Sequence, residues 1–184
     1  MLDAMTGTPI SFFKGSGQRY RSVLERRDGV QVELVGGGYN QVGGPARRIP
    51  HDLAHFIVED EMQLDFGLWG VLAAGGLFAP TNTRVIAGRQ PPHAARKARA
   101  VVERAGDRLG QAEIVVRAVA DLALAARHRD VAAFADATGV RWTLPSVTPE
   151  RLAAACRRLQ DTGVRWDTLA PDETIDVVWR QAPS

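Results

Sequence analysis

The feature that most constrains this chain is a helical segment that begins near Pro50 and is apolar on two sides. Proline suits the first turn of a helix, because its missing N–H would have no partner there anyway. The apolar positions of this segment are Leu53, Ala54, Phe56, Ile57, Val58 and Met62. A helix with two apolar sides is buried on both, so the rest of the chain is expected to pack around it.

One polar stripe interrupts this apolar surface. At about 100° per residue, His51, His55 and Glu59 advance by only about 40° per step and share one face, with Asp52 at its edge. Buried imidazole and carboxylate groups are costly without partners. Two histidines four residues apart also have the spacing of helical zinc sites. The sequence therefore predicts a divalent metal bound by His51, His55 and Glu59.

Asp52 and Glu59 are the candidate catalytic residues. Asp52 stands where zinc peptidases carry a glutamate that acts as general base. Its side chain is one methylene shorter, so it is predicted to position water, bind the metal or orient an imidazole. Histidine and carboxylate ligands favour zinc, with iron and manganese as alternatives. Without a metal, Asp52 would serve the helix macrodipole and the histidines would make ordinary buried hydrogen bonds.

The third metal ligand is left open by helix geometry. Residues 51 and 59 lie about 12 Å apart along a straight helix that rises about 1.5 Å per residue, which is awkward for one ion. Either the helix bends, or Glu59 supports an imidazole and a group from elsewhere completes the site. His93 and Asp65 are the candidates for that group.

The candidate site reads His51-Asp52-Leu53-Ala54-His55 and resembles the His-Asp-x-x-His signature of the ubiquinone-biosynthesis Coq-four family. The resemblance implies a mostly helical protein that holds zinc or another divalent metal and takes part in quinone-ring chemistry. That family has a further glutamate after eleven intervening residues, and here residues 56–66 lead to Gly67. Only the two histidines and Asp52 match. The segment is also similar to proteins of GC-rich bacteria, which implies no function.

The N-terminal part of the chain predicts an antiparallel sheet. Residues 10–14 form a short strand, and residues 19–27 and 30–35 flank Asp28-Gly29, a strong signal for a tight hairpin. Residues 174–179 alternate in polarity and are predicted to add a strand to this sheet. A glycine-rich link over residues 36–44 is interpreted as a hinge that leads to the site helix.

The remaining segments predict helices, at residues 50–63, 68–78, 92–128, 131–138 and 151–160. Gly106 and Gly110 are expected to divide the long one, and residues 81–92 to form a loop. Gly139 and Gly163 belong to two copies of Thr-Gly-Val-Arg-Trp, interpreted as a shared way of ending a helix.

The predicted fold is a single α+β domain over residues 1–184, with a mostly helical body and a small N-terminal antiparallel sheet. Residues 1–48 form the β-hairpin region. Residues 49–184 form the helical body, with a C-terminal strand at its end.

Composition narrows the class of protein. Hydrophobic residues make up 45% of 184 residues, enough for the core of one domain. No apolar run is long enough for a membrane span, and no signal peptide is evident. Cys156 is the only cysteine, so a cytoplasmic protein without an internal disulfide is predicted. The net charge is +2 with arginines dispersed among acids, so nucleic-acid binding is not expected.

Three functions follow from these patterns. The first is a cytoplasmic metalloenzyme, a hydrolase that uses a metal-bound water on a small-molecule or peptide substrate. The second, from the resemblance, is a quinone or aromatic-ring modifying metalloprotein. The third is a non-enzymatic helical interaction protein. A homodimer is left open in all three.

Overall fold

The computed structural model describes residues 7–36, 49–79, 83–90, 92–139 and 147–180. Its strands are β1 (Thr8–Lys14), β2 (Tyr20–Glu25), β3 (Gln31–Gly36), β4 (Thr83–Ala87) and β5 (Thr174–Trp179). Its helices are α1 (His51–Met62), α2 (Leu68–Ala73), α3 (Ala94–Ala105), α4 (Asp107–Leu124), α5 (Val131–Thr138) and α6 (Pro149–Thr168). The chain has an α+β fold with its sheet mostly near the N-terminus, which confirms the predicted fold class. Apart from Gly36, the glycine-rich link lies outside the described residues.

The five strands form one antiparallel sheet in the order β4-β3-β2-β1-β5. Gly29 has a φ of 77°, a left-handed conformation that the tight turn between β2 and β3 requires. The predicted hairpin and the predicted C-terminal strand are both confirmed, and β5 pairs with β1 at one edge. Alternate residues of the central strands are buried and give the sheet one apolar face.

Helix α1 lies in the middle of the molecule. It packs against α4 and α6, and its aromatic side chains meet the sheet. The Phe56 ring contacts Phe12 of β1 edge to face, with centroids 6.3 Å apart, and Trp179 of β5 at 6.1 Å. Every residue from Asp52 to Glu59 is buried. The burial predicted from the two apolar sides of this helix is confirmed, and it places the polar stripe inside the fold.

Strand β4 and the end of helix α2 differ from the sequence-based expectation. The predicted loop over residues 81–92 contains strand β4, which pairs with the open edge of β3. The sequence of this short strand does not alternate in polarity. The strand forms because its backbone makes hydrogen bonds with β3, which is distant in the sequence. Helix α2 ends at Ala73 rather than near residue 78, and Gly75 follows with a φ of 98°.

Glycine divides the long helical stretch at one position only. Gly106, with a φ of 51°, separates α3 from α4 as predicted. Gly110 lies inside α4, so its predicted role as a divider is wrong. A single glycine costs a helix only about 1 kcal/mol relative to alanine, which packing can offset.

The two Thr-Gly-Val-Arg-Trp copies do not share a structure. Gly139 ends α5 with a φ of 81°, as predicted, and residues 140–142 lie outside the described ranges. Gly163 is buried inside α6, which continues past the buried Trp166 and ends at Thr168. The interpretation as a common helix end is therefore wrong for the second copy. Burial of the tryptophan on the helix face outweighs the low helix propensity of glycine.

Within the described ranges, no helix is long and apolar enough to cross a membrane.

Candidate metal centre

The structure brings His51, His55 and Glu113 together. His51 opens α1 directly after Pro50, and His55 follows one turn later, so the two imidazole centroids are 4.4 Å apart. Glu113 approaches from α4, which packs across α1. One donor atom from each residue lies within 4.8 Å of the other two. Among the described residues, this is the one group whose donors are close enough to share a metal ion.

Both imidazoles direct Nε2 at the same carboxylate oxygen. Oε2 of Glu113 lies 3.3 Å from Nε2 of His51 and 3.2 Å from Nε2 of His55. The first contact is a hydrogen bond, but the direction of the second is unsuitable for one. Nε2 of His55 therefore has no hydrogen-bond partner within the described part of the chain, although the side chain is 1% exposed. A buried ring nitrogen without a hydrogen bond is costly, and a cation would give its lone pair a partner.

The other nitrogen of each imidazole meets a carboxylate of α1. Nδ1 of His51 is 3.3 Å from Oδ1 of Asp52, and Nδ1 of His55 is 2.9 Å from Oε1 of Glu59. When Nδ1 carries the proton and donates it to a carboxylate, Nε2 is left with its lone pair free to coordinate. Histidine ligands in metalloproteins are commonly held in this way.

Hydrogen bonds hold both the side chain and the backbone carbonyl of Asp52. Ser22 Oγ in β2 donates to its Oδ2 at 3.0 Å, and Trp69 Nε1 donates to its backbone carbonyl at 2.8 Å. Tyr20 also reaches Asp52, and burial, followed by the negative charge of Asp52, raises the pKa of the Tyr20 hydroxyl above its usual range. Of the three roles predicted for Asp52, these contacts suit the orientation of the His51 ring.

Glu59 lies outside the donor cluster. Its oxygens accept hydrogen bonds from the backbone N–H groups of Leu68 at 2.7 Å and Trp69 at 3.0 Å, besides the contact with His55. A Cβ at Gly67 would lie 2.2 Å from Cδ of Glu59, so only glycine leaves room for the carboxylate there. Glu59 was the third ligand predicted from the sequence, and Glu113 takes its place in the cluster. The contacts of Glu59 assign it to holding His55 and the start of α2.

Neither of the distant candidates joins the two histidines. Asp65 forms an ion pair with Arg108 at 3.1 Å. His93 is the residue before α3 and is exposed, with a φ of 63°. Sequence reasoning missed Glu113. It borders the buried face of α4 beside Ala112 and Val116, a position that could have drawn attention to it.

The carboxylates make the cluster attractive to positive charge. Burial disfavours the protonated form of His51, but the contacts with Asp52 and Glu113 outweigh it and raise its pKa to about 10. Burial also opposes protonation of His55, and Glu113 with Glu59 again raises the pKa. Contact with His51, and next with His55, lowers the pKa of Glu113. Three carboxylates around two imidazoles thus favour positive charge here, on protonated rings or on an ion that displaces their protons.

No protein-family model matches the chain, and neither do any of the curated proteins or solved structures with which it was compared. The class of site is therefore argued from geometry. Two histidines and one glutamate converge, and each imidazole is held from behind by a second carboxylate. The resemblance to the ubiquinone-biosynthesis family stays a prediction.

Proposed function

We propose that His51, His55 and Glu113 bind one divalent metal ion and that the chain is a metal-dependent enzyme, with hydrolysis as its reaction class. The observation that carries the proposal is the buried Nε2 of His55. It has no hydrogen-bond partner among the described residues, and it points with Nε2 of His51 at one carboxylate oxygen. This proposal keeps the predicted metal and both histidines, and it replaces the predicted third ligand.

The donor distances suit a small ion. Ligand atoms about 2.1 Å from a tetrahedral zinc lie about 3.4 Å from one another. The distances from Oε2 of Glu113 to the two Nε2 atoms are 3.3 and 3.2 Å. Two histidines and one carboxylate form the ligand set of zinc hydrolases with an open coordination position. Zinc is accordingly the first choice, with iron and manganese as alternatives.

The carboxylates around the site have two tasks: two of them orient the imidazoles, and the third lies on the side that is open to solvent. Asp52 and Glu59, the catalytic residues predicted from the sequence, hold the imidazoles from behind. The Glu113 side chain is 58% exposed, so the cluster opens towards solvent on the α4 side. A metal held there would supply a Lewis acid and a water of lowered pKa. A small molecule or a peptide would approach from the same side.

Metal content is the decisive measurement. Elemental analysis after gentle purification is expected to find about one divalent ion per chain. His55→Ala and His51→Ala are each expected to abolish metal binding, since each removes a nitrogen donor. Glu113→Gln removes the carboxylate donor and is expected to lose metal binding as well. Its matched control is Glu103→Gln, at an exposed position of α3 outside the cluster. A protein that contains no metal and takes up none of zinc, manganese or iron would refute the proposal.

The reaction class needs a separate test. Chromogenic carboxylic esters, phosphate esters and peptides are offered to the metal-loaded protein and to His55→Ala. Hydrolysis of one class by the first protein alone would support a hydrolase. The quinone-ring alternative has the motif resemblance as its support and shares the same metal. Conversion of a quinone-like aromatic compound, with no hydrolysis, would favour it.

The non-enzymatic alternative uses the same residues. Protonated His51 and His55 would bridge to Glu113 and fasten α4 to α1 as an ion-pair network. The raised pKa of both imidazoles supports it. It predicts no bound metal, so the elemental analysis separates it from the two enzyme functions.

A further inference from the structure

Two adjoining clefts lie against helix α3 and share Ala74 and Val101 in their lining. The larger, of about 330 Å³, is an open cleft lined by α2 and the segment before it, by α3 and by the start of α4. The smaller, of about 210 Å³, lies between the segment after α2, helix α3 and the hairpin turn around Asp28. The larger volume falls at the lower end of the range for small-molecule pockets, about 300–1,000 Å³.

Positive charge exceeds negative charge along both clefts. The basic residues in their lining are Arg26, Lys97, Arg104 and Arg108. The acidic residues are Asp28 and Asp65, and each is already paired with an arginine. The lining of each cleft therefore carries an excess of one positive charge, which favours an anionic ligand.

Arg108 is held in place for such a ligand. Its guanidinium carbon lies 4.1 Å from the centre of the Phe66 ring, and its Nη2 donates to Asp65 at 3.1 Å. A guanidinium has five N–H donors in a fixed plane, so this contact leaves others for a ligand. Arg104 lies near the end of α3, before the break at Gly106, and lines the same cleft.

We propose that the larger cleft is a binding site for a small organic anion, a carboxylate or phosphate monoester with an aromatic or short aliphatic body. Arg104 and Arg108 hold the anionic group, because guanidinium pairs well with planar carboxylates and with phosphates. Phe66, Val71 and Val101 take the apolar body. The inference does not rest on the proposed metal, because none of the residues that line the cleft belongs to the His–Glu cluster.

Calorimetric titration with phenyl phosphate, benzoate and inorganic phosphate tests the site. It also distinguishes a phosphate monoester from a carboxylate as the preferred ligand. Phenyl phosphate and benzoate are expected to bind in the millimolar range, as befits ligands of about ten non-hydrogen atoms. Tighter binding of one than of the other identifies the preferred anionic group. Inorganic phosphate is expected to bind about tenfold more weakly than phenyl phosphate, because it lacks an apolar body. Equal binding of inorganic phosphate would overturn the organic-ligand proposal.

Substitutions locate the site. Arg104→Glu is expected to weaken phenyl phosphate binding by about tenfold or more, since it reverses a charge beside the anion. Arg99→Glu makes the same change on an exposed position of α3 that lines neither cleft, and it is expected to have little effect. Ala74→Leu fills the apolar floor and is expected to abolish binding. Equal weakening by Arg104→Glu and Arg99→Glu would overturn the proposal.

Discussion

At the scale of single residues, Glu113 and Glu59 have separable tasks. Glu113→Gln keeps the size of the side chain but removes the anionic donor, so we expect loss of metal binding. Glu59→Gln removes the charge behind His55 and is expected to lower metal affinity by about 10- to 100-fold with metal still bound at saturation. Competition against a chromogenic chelator measures both affinities. Loss of metal in Glu59→Gln with normal affinity in Glu113→Gln would restore the ligand set predicted from the sequence.

Gly67 provides a second test at this scale. A methyl group there would lie 2.2 Å from Cδ of Glu59, so Gly67→Ala must displace the carboxylate from two amides and from His55. We expect the free energy of unfolding to fall by about 2 kcal/mol or more.

Gly110→Ala is the matched control for this substitution. No atom lies within 4 Å of an added Cβ at Gly110, and it sits inside a helix. Alanine there is expected to raise the free energy of unfolding by up to about 1 kcal/mol. Urea denaturation compares the two variants, and a stabilised Gly67→Ala protein would contradict the tight packing of Glu59.

At the scale of elements, the sequence predicted the local features and the added C-terminal strand, whose polarity alternates, but it missed two features that depend on a distant segment. The two apolar sides of α1 and the Asp28-Gly29 turn are determined by residues close together in the sequence, and both predictions are confirmed. Strand β4 exists because the edge of β3 lies beside it, and Glu113 reaches the histidines only because α4 crosses α1. The same limit applies at Gly163, where burial of Trp166 keeps α6 intact. His51 and His55 were found since one helical turn brings them together.

Arg158 of α6 forms ion pairs with α1, and these pairs give a prediction at the scale of elements. Its Nη1 lies 2.8 Å from Asp60 Oδ2 and 2.8 Å from Glu61 Oε1, and its guanidinium lies 5.3 Å from the centre of the Phe56 ring. We expect Arg158→Met to lower the free energy of unfolding by about 1 kcal/mol or less, because the pair is partly exposed. High salt should shrink this difference. Arg157→Met, at the exposed neighbouring position, is the control, and equal effects would assign no special role to the bridge.

At the scale of the whole molecule, the proposed ion would fasten α1 to α4. Helix α1 carries both histidines and α4 carries Glu113, so the ion would add a link between two helices that already pack together. A ligand that binds only the folded state stabilises it by about 2.7 kcal/mol at a hundredfold excess over Kd. The metal is therefore expected to stabilise the complete fold rather than one loop.

Thermal unfolding measures this link. Removal of the metal with a chelator is expected to lower Tm by several degrees, at about 2–4 °C per kcal/mol for a chain of this size, and returning zinc should restore it. His55→Ala is expected to melt at one temperature with or without zinc, because the binding site is incomplete. Glu103→Gln should respond to zinc as the unaltered protein does. An equal rise in Tm on adding zinc to His55→Ala would place the bound ion elsewhere and leave the His–Glu cluster as an ion-pair network.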